Sequence, residues 1–105
     1  MGLTVTTQQR DRAVRVGVDG DIDIATRDEL DSGLFGAIAS TGTGLVEVDL
    51  TGVLFIDSSG IAVLLKNRRR AEEAGVRFRV VAASDLAERI LRVCGVWRLL
   101  NEGLE

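Results

Sequence analysis

Residues 46–61 read VEVDLTGVLFIDSSGI, an apolar run that predicts a buried strand, followed by two adjacent serines and the start of a helical pattern. We expect the function to lie at this junction, in Asp57-Ser58-Ser59-Gly60. The first residues of a helix present unpaired backbone N–H groups and the positive end of the helix dipole, which favour a phosphoryl group. Ser and Asp are also common N-caps, so capping alone is the alternative interpretation of the motif.

The residues after the junction predict a strand–helix–strand unit. The helical positions are Ile61, Leu64, Leu65 and Ala71. Gly75 fits the C-terminal cap of this helix, and residues 76–82 form the next strand. A unit of this length suits a right-handed crossover between parallel strands, which places the serines at the carboxyl end of a strand. This position favours a functional role over capping alone.

The N-terminal half predicts a hairpin and a first helix. Residues 3–7 and 13–19 alternate as strands do, and the short polar segment 8–12 connects them as an antiparallel pair. Gly20-Asp21-Ile22-Asp23 ends the second strand, and Thr26 caps a helix. The apolar stripe of that helix is Leu30, Leu34, Ala37 and Ile38. A loop at residues 40–44 leads into the central strand, residues 45–50.

The C-terminal part predicts one more helix and a short last strand. Ser84 or Asp85 begins the helix, and Gly95 ends it. Its apolar positions are Leu86, Ile90, Leu91 and Val93. Residues 96–100 are predicted to be a strand. We find no linker or repeat, and a chain of 105 residues suits one domain over residues 1–105.

Composition excludes several classes of function. The chain has no histidine, which removes Ser-His-Asp catalysis, histidine phosphocarrier chemistry and most zinc sites. A formal net charge of −3 argues against a dedicated nucleic-acid binder. The single cysteine, Cys94, is expected in the core, and no signal peptide or bilayer-spanning stretch is visible, so we expect a cytoplasmic protein. No cofactor or metal is expected.

Three weaker signals have plain structural interpretations. Thr41-Gly42-Thr43-Gly44 lacks the Lys-Ser/Thr ending of a phosphate-binding loop, so we interpret it as a connection. Asp21, Asp23 and Asp57 could converge on a cation or act as an acid/base pair, but turn and partner-contact roles are favoured. The basic run at residues 66–70 is interpreted as a solvated helix face.

Four segments together resemble the anti-sigma factor antagonists, bacterial proteins of the STAS-domain family. They are Gly20-Asp21-Ile22-Asp23, residues 48–53, Phe55-Ile56-Asp57-Ser58-Ser59-Gly60-Ile61, and residues 91–96. The resemblance covers nearly the whole chain in order and at the family's spacing. It implies an α/β fold with a four- or five-stranded mixed sheet and helices mainly on one face, with the final helix shortened or missing.

The resemblance also implies a regulatory cycle in a protein that is not an enzyme. The unphosphorylated antagonist binds an anti-sigma factor that is also a serine kinase, and so frees a sigma factor. Phosphorylation by that kinase ends the interaction, and a serine phosphatase restores it. Carried over by position, the phosphorylated residue is Ser58, with Ser59 beside it and Asp57 and Asp23 in its charge environment. We expect no direct nucleic-acid or membrane contact, and a monomer or weak dimer.

The expected docking surface combines residues 21–25 with residues 58–62, where Ile24 and Ile61 are expected to give exposed apolar contacts. Its predicted partner-binding residues are Asp21, Asp23, Ile24, Asp57, Ser58, Ser59, Gly60, Ile61 and Ala62. The alternative hypothesis is a nucleotide-binding or scaffold module of a stress-signalling assembly. A hydrolase that uses the aspartates is the weakest hypothesis, because no base, metal cluster or nucleophile pair is visible.

Overall fold

Four strands form one mixed sheet in a computed structural model that describes residues 2–11, 13–41 and 44–101. Along the chain the elements are β1 (Leu3–Arg10), β2 (Ala13–Ile22), α1 (Arg27–Thr41), β3 (Leu45–Ile56), α2 (Ser58–Glu73), β4 (Arg77–Ala83), α3 (Asp85–Val93) and α4 (Trp97–Asn101). The strands lie in the sheet in the order β1-β2-β3-β4. β1 and β2 are antiparallel, whereas β2, β3 and β4 run parallel. The predicted hairpin, the strand–helix–strand unit and the α/β class are confirmed, with four strands in the sheet.

The core follows from strand alternation and from the apolar stripes of the helices. Its fully buried side chains include Val14, Val16, Val46, Val48, Leu50, Leu30, Leu34 and Leu64. The helices α1 and α2 contact each other as well as the sheet. Because alternate residues of a strand point to opposite faces, one face of β2 and β3 packs into this core through its aliphatic residues, Val14, Val16 and Val18 of β2 and Val46, Val48 and Leu50 of β3. The apolar stripe predicted for α1 is confirmed in full.

Charged side chains occupy the other face of the sheet. Arg15, Glu47 and Arg79 lie side by side on β2, β3 and β4, because the register pairs each with the next. Glu47 accepts hydrogen bonds from both guanidinium groups, at 3.3 Å from Arg15 and 3.2 Å from Arg79. All three side chains are partly exposed, so two arginines share one carboxylate on a face in contact with water.

Two glycines end α2 and α3, as the sequence predicts. Gly75 and Gly95 have φ angles of 74° and 77°, the left-handed region that favours glycine. At each end the residue after the glycine donates its N–H back into the last turn, from Val76 to Ala71 and from Val96 to Leu91. This is the Schellman arrangement, which satisfies helix carbonyls that would otherwise lack partners.

The boundaries in the N-terminal half differ from the prediction. β2 does not end at residue 20 but continues to Ile22, because the pairing with β3 absorbs two register shifts and Gly20 adopts a φ of 115°. β1 extends to Arg10, so three residues of the predicted connection, 8–10, belong to the strand; Arg12 lies outside the described residues. Ser40 and Thr41 belong to α1 rather than to a loop, and residues 42–43 also lie outside the described part.

The prediction of a last strand at residues 96–100 is wrong. Trp97–Asn101 is a short helix, α4, which follows Gly95, whose backbone has a left-handed conformation. The Asn101 amide donates to the carbonyl of Val80 at 2.9 Å, so α4 lies where a strand beside β4 would have to pair. The expectation that Cys94 is a core residue is also wrong: as the C-cap of α3 it is exposed, and Val93 beside it is 81% exposed.

The interpretation of residues 66–70 as a solvated face is wrong in one respect, because Asn67 is fully buried. Its amide donates to Asp31 of α1 at 2.8 Å and to the carbonyl of Val63 at 3.0 Å. Asp31 also pairs with Lys66 at 3.3 Å and with Arg70 at 3.0 Å. One carboxylate of α1 therefore holds three side chains of α2.

This cluster predicts a pH-dependent contribution to stability. Partial burial raises the pKa of Asp31, but hydrogen bonds from Asn67 and Lys66 and the charges of Arg70 and Lys66 outweigh it and hold the pKa below its ordinary value. Because the pKa of Asp31 is lower in the folded than in the unfolded protein, its ionised form stabilises the fold. This stabilisation is at its full size above the unfolded-state pKa of about 4 and is lost as the pH falls through the folded-state pKa.

Asp31→Asn is therefore expected to lower the free energy of unfolding at pH 7 by about 1 kcal/mol, because it removes the charge that Lys66 and Arg70 bind. The difference from the wild type should shrink towards pH 2, and urea unfolding at both pH values measures it. Glu73→Gln, at an exposed carboxylate of α2, is the control and should show no such difference. A loss of equal size at both pH values would contradict the assignment.

Candidate strand-to-helix switch site

The Asp57 carboxylate caps α2. One of its oxygens, Oδ1, accepts hydrogen bonds from the backbone N–H groups of Ser59 at 2.9 Å and Gly60 at 3.4 Å. The backbone of Asp57 donates to the carbonyl of Ile22 at 3.2 Å, which joins the start of α2 to the end of β2. The hydrogen bond from the Ser59 hydroxyl and those from the backbone lower the pKa of Asp57, so it is ionised at neutral pH.

The two serines have different environments. The Ser59 hydroxyl donates to Asp57 Oδ1 at 2.5 Å and is partly buried. Ser58 is the first residue of α2 and is exposed, and within the described part of the chain its hydroxyl has no hydrogen-bond partner. Ser59 thus completes the cap, whereas the Ser58 hydroxyl faces solvent.

Gly60 sets how closely α2 approaches the sheet. A Cβ atom at this position would lie 2.4 Å from Ile22 Cγ2 and 3.0 Å from Ile56 Cγ1, far inside ordinary contact distances. Gly60 itself is buried between the ends of β2 and β3. The absence of a side chain therefore allows the first turn of α2 to rest on the two strand ends that precede the site.

Internal hydrogen bonds hold the segment at residues 21–26 in place. Asp23 Oδ1 accepts from the backbone of Ala25 at 2.9 Å and of Thr26 at 3.1 Å. The buried Thr26 hydroxyl donates to the carbonyl of Asp21 at 2.8 Å and accepts from the backbone of Asp23 at 3.0 Å. Thr26 precedes α1 as predicted, but its side chain ties this segment together rather than capping the first helical N–H groups.

A cleft of about 250 Å³ lies between the starts of α1 and α2. Its lining residues are Arg27, Asp28, Asp31, Ser59, Ala62, Val63 and Lys66. The cleft brings Ser59 and Ala62 of the predicted docking surface next to the residues that directly follow the 21–26 segment. Sequence reasoning did not select Arg27, Asp28 or Lys66, because nothing in a single sequence marks which helix faces will meet.

The apolar contacts of this region differ from the prediction. Ile24 is 70% exposed as expected, but Ile61 is only 9% exposed and belongs to the core, so the expectation of an exposed Ile61 is wrong. Leu54 and Phe55, at the end of β3, are instead 72% and 46% exposed. A register shift in this part of β3 leaves Leu54 without a partner on β2. The run of four apolar residues, 53–56, was the available signal, since a strand with one covered face cannot bury all four.

Two of the three aspartates, Asp23 and Asp57, make local hydrogen bonds through their carboxylates. Asp23 and Asp57 each direct a carboxylate oxygen to backbone N–H groups of their own segment. Within the described residues, no group of three or more His, Cys, Asp or Glu side chains is placed to hold a metal ion. No helix in the described ranges has the length and apolar character needed to cross a bilayer.

The mixed sheet, the parallel crossovers and a serine junction at the end of the third strand define a class of small α/β domain. The chain belongs to the STAS-domain family, because the family description "Mlab, STAS domain" matches residues 5–101. The resemblance inferred from the sequence is thereby confirmed.

Relatives and solved structures agree with this family. The chain is 27% identical to the anti-sigma-B factor antagonist of Staphylococcus aureus, over 100% of this chain and 98% of the relative. It is similar in fold to an anti-sigma factor antagonist from Mycobacterium paratuberculosis, with a TM-score of 0.80 at 23% identity over 98% of this chain and 88% of the other. It is also similar to the Bacillus cell fate determinant SpoIIAA in its phosphorylated form, with a TM-score of 0.67 at 18% identity over 94% and 89% of the two chains.

The close approach at Gly60 predicts that Gly60→Ala destabilises the fold by about 1 to 3 kcal/mol, because the added methyl group must displace Ile22 or the helix start. Gly36→Ala is the matched control, since Gly36 lies inside α1 with nothing within 4 Å of an added Cβ. This control should stabilise by up to about 1 kcal/mol through helix propensity. Chemical unfolding measures the stability of both variants. A Gly60→Ala variant as stable as the wild type would refute the close packing of α2 against the strand ends.

Proposed function

We propose that this protein is an anti-sigma factor antagonist that works by partner switching at Ser58. Unphosphorylated, it binds an anti-sigma factor that is also a serine kinase, and so releases a sigma factor. Phosphorylation of Ser58 ends the interaction, and a serine phosphatase reverses it. The proposal rests chiefly on the exposed Ser58 hydroxyl, which has no hydrogen-bond partner among the described residues and lies beside a cap that Ser59 already completes.

The names of the relatives support this proposal. The Staphylococcus aureus protein matched along the whole chain is named an anti-sigma-B factor antagonist. One solved structure of similar fold is described as a phosphorylated form, so a protein of this architecture accepts a phosphoryl group. We place the cycle in the cytoplasm, where a kinase has access to ATP, and assign no catalytic role to the protein itself.

Electrostatics explains how one phosphoryl group would act as a switch. It would add about −1.5 to −2 charges at the first residue of α2, directly beside the ionised Asp57. The positive end of the α2 dipole can hold this charge within the protein. A partner packed over the same surface would have to desolvate or repel it. A coupling of about 2 to 3 kcal/mol changes affinity by about 30- to 150-fold.

We propose a docking surface that surrounds the cleft between α1 and α2. Ile24, Ala25, Ser58 and Ala62 are its exposed members, and Asp21, Asp23, Asp57, Ser59 and Gly60 fix their positions. Ile61 supports the surface from below as a core residue. An apolar centre at Ile24 with charged residues around it is typical of protein interfaces.

Ser58→Ala should abolish phosphorylation, because it removes the exposed hydroxyl. The measurement is phosphoryl incorporation by mass spectrometry after incubation with serine-kinase anti-sigma factors and Mg-ATP. The wild type should gain one phosphoryl group.

Ser59→Ala is the matched control and should keep the modification, since its hydroxyl serves the cap. Thermal unfolding of both variants checks that each one is folded. Equal labelling of Ser58→Ala and wild type would refute the assignment, and so would loss of labelling in a folded Ser59→Ala variant alone.

A further inference from the structure

The two edges of the sheet differ in how they are covered. At the β4 edge, α4 contacts the strand and the Asn101 side chain donates to the carbonyl of Val80 at 2.9 Å. At the other edge, within the described part of the chain, β1 pairs with β2 alone. The outer side of β1 therefore presents unpaired backbone N–H and C=O groups along a strand of eight residues.

The composition of β1 does not protect this edge. The strand reads LTVTTQQR, with no proline and with Arg10 as its one charged residue, at the far end. Thr and Val favour extended structure, and charges or proline are what usually prevent pairing at an edge. Residues 3–9 of β1 can thus accept another strand.

A groove of about 490 Å³ runs beside this edge, between β1 and α1. Its lining residues are Val5, Thr7, Asp28, Glu29, Ser32 and Gly33. Both charged lining residues are acidic and exposed; the Asp28 side chain is 98% exposed and lies 4.0 Å from Nε of Arg27, a contact too exposed to neutralise it. A side chain that enters the groove from a paired strand meets an apolar floor at Val5 and two carboxylates at the rim.

We propose that β1 accepts an extended segment of another protein as an additional antiparallel or parallel strand, and that this segment carries basic side chains on its groove side. Backbone hydrogen bonds to β1 would supply affinity, and the alternate side chains that face the groove would supply specificity. Lysine or arginine at these positions would pair with Asp28 and Glu29 while their methylene groups cover Val5. β1 is two strands away from β3, which leads to Ser58, so this surface goes beyond the proposed switch.

A second copy of this chain fits the groove less well. Val5 and Thr7 line the groove, so the odd-numbered residues of β1 face it. In a sheet that continues through two copies with the helices of both on the same side, a second β1 strand would bring Leu3, Val5, Thr7 and Gln9 to that face, and none of them is a cation. Its one charge, Arg10, lies on the other face, where it donates to Gln8 at 3.2 Å. The groove acids therefore favour a basic partner over self-association.

The probe is a fluorescein-labelled nonapeptide of alternating valine and lysine, and its binding to the full chain is measured by fluorescence anisotropy. Saturable binding is expected, with NMR amide shifts concentrated in residues 3–10. An otherwise identical peptide with N-methyl groups on the backbone nitrogens of every second residue keeps the charge but cannot pair as a strand. It should bind at least about tenfold more weakly.

Charge reversal tests the groove separately. Asp28→Lys with Glu29→Lys should weaken binding of the valine–lysine peptide by about tenfold. Glu72→Lys with Glu73→Lys makes the same charge change at an exposed pair in α2 and should alter the affinity for the peptide less than about twofold. Circular dichroism confirms that both variants are folded.

Three results would overturn the proposal. The first is equal binding of the methylated peptide, which needs no variant and so does not depend on folding. The second is a set of amide shifts concentrated at residues 58–62 instead of β1. The third is a dimer of the chain alone, seen by sedimentation velocity, whose β1 amides are protected from exchange. None of these results bears on phosphorylation of Ser58, so the two proposals can fail independently.

Discussion

The candidate site depends on the hydrogen bonds of Asp57. Its carboxylate accepts hydrogen bonds from N–H groups in the first turn of α2, and its backbone N–H donates to the carbonyl of Ile22 at the end of β2. These hydrogen bonds fix the helix start against two strand ends, and Gly60 makes the close contact sterically possible. Asp57 and Ser59 make these contacts without the Ser58 hydroxyl, which has no hydrogen-bond partner among the described residues.

The arrangement of the sheet keeps the two proposed surfaces apart. Ser58 follows β3 at the carboxyl end of the parallel strands, whereas the uncovered edge belongs to β1. Both surfaces use the first turn of α1, since Asp28 lines the cleft beside Ser59 and also the groove beside Val5.

The parts of the fold that could be predicted from the sequence are those where periodicity and caps agree. The alternation of Val14, Val16 and Val18, the α1 stripe, and the glycines at positions 75 and 95 all keep their predicted roles. The prediction of a strand at residues 96–100 was wrong because a short apolar run fits a strand and a helix equally well. Only packing against the neighbouring α3 and β4 decides between the two. β2 is longer than predicted because register shifts allow its pairing with β3 to continue to Ile22. Such shifts depend on both strands and cannot be predicted from one of them.

At the site, the motif and its position at a strand end were predictable, but exposure was not. Ile61 is buried, in keeping with its position in the predicted apolar stripe of α2 and not with the expected exposed contact. The apolar run 53–56 indicates that some of its residues are exposed, but the register shift that exposes Leu54 depends on the pairing with β2. Cys94 is exposed because the chain turns at the end of α3. The different environments of Ser58 and Ser59 arise only in the folded chain, because the sequence does not show which of two adjacent hydroxyls binds Asp57.

The most direct measurement compares the affinity of the phosphorylated and unphosphorylated protein for the anti-sigma factor that a Ser58→Ala variant captures. Titration calorimetry should give about 30- to 150-fold weaker binding for the phosphorylated form. Hydrogen exchange at the Ser59 and Gly60 amides should remain equally slow in both forms, because Asp57 still holds the helix end. Equal affinities, or loss of protection at these two amides on phosphorylation, would contradict a switch that acts by surface charge on an intact fold.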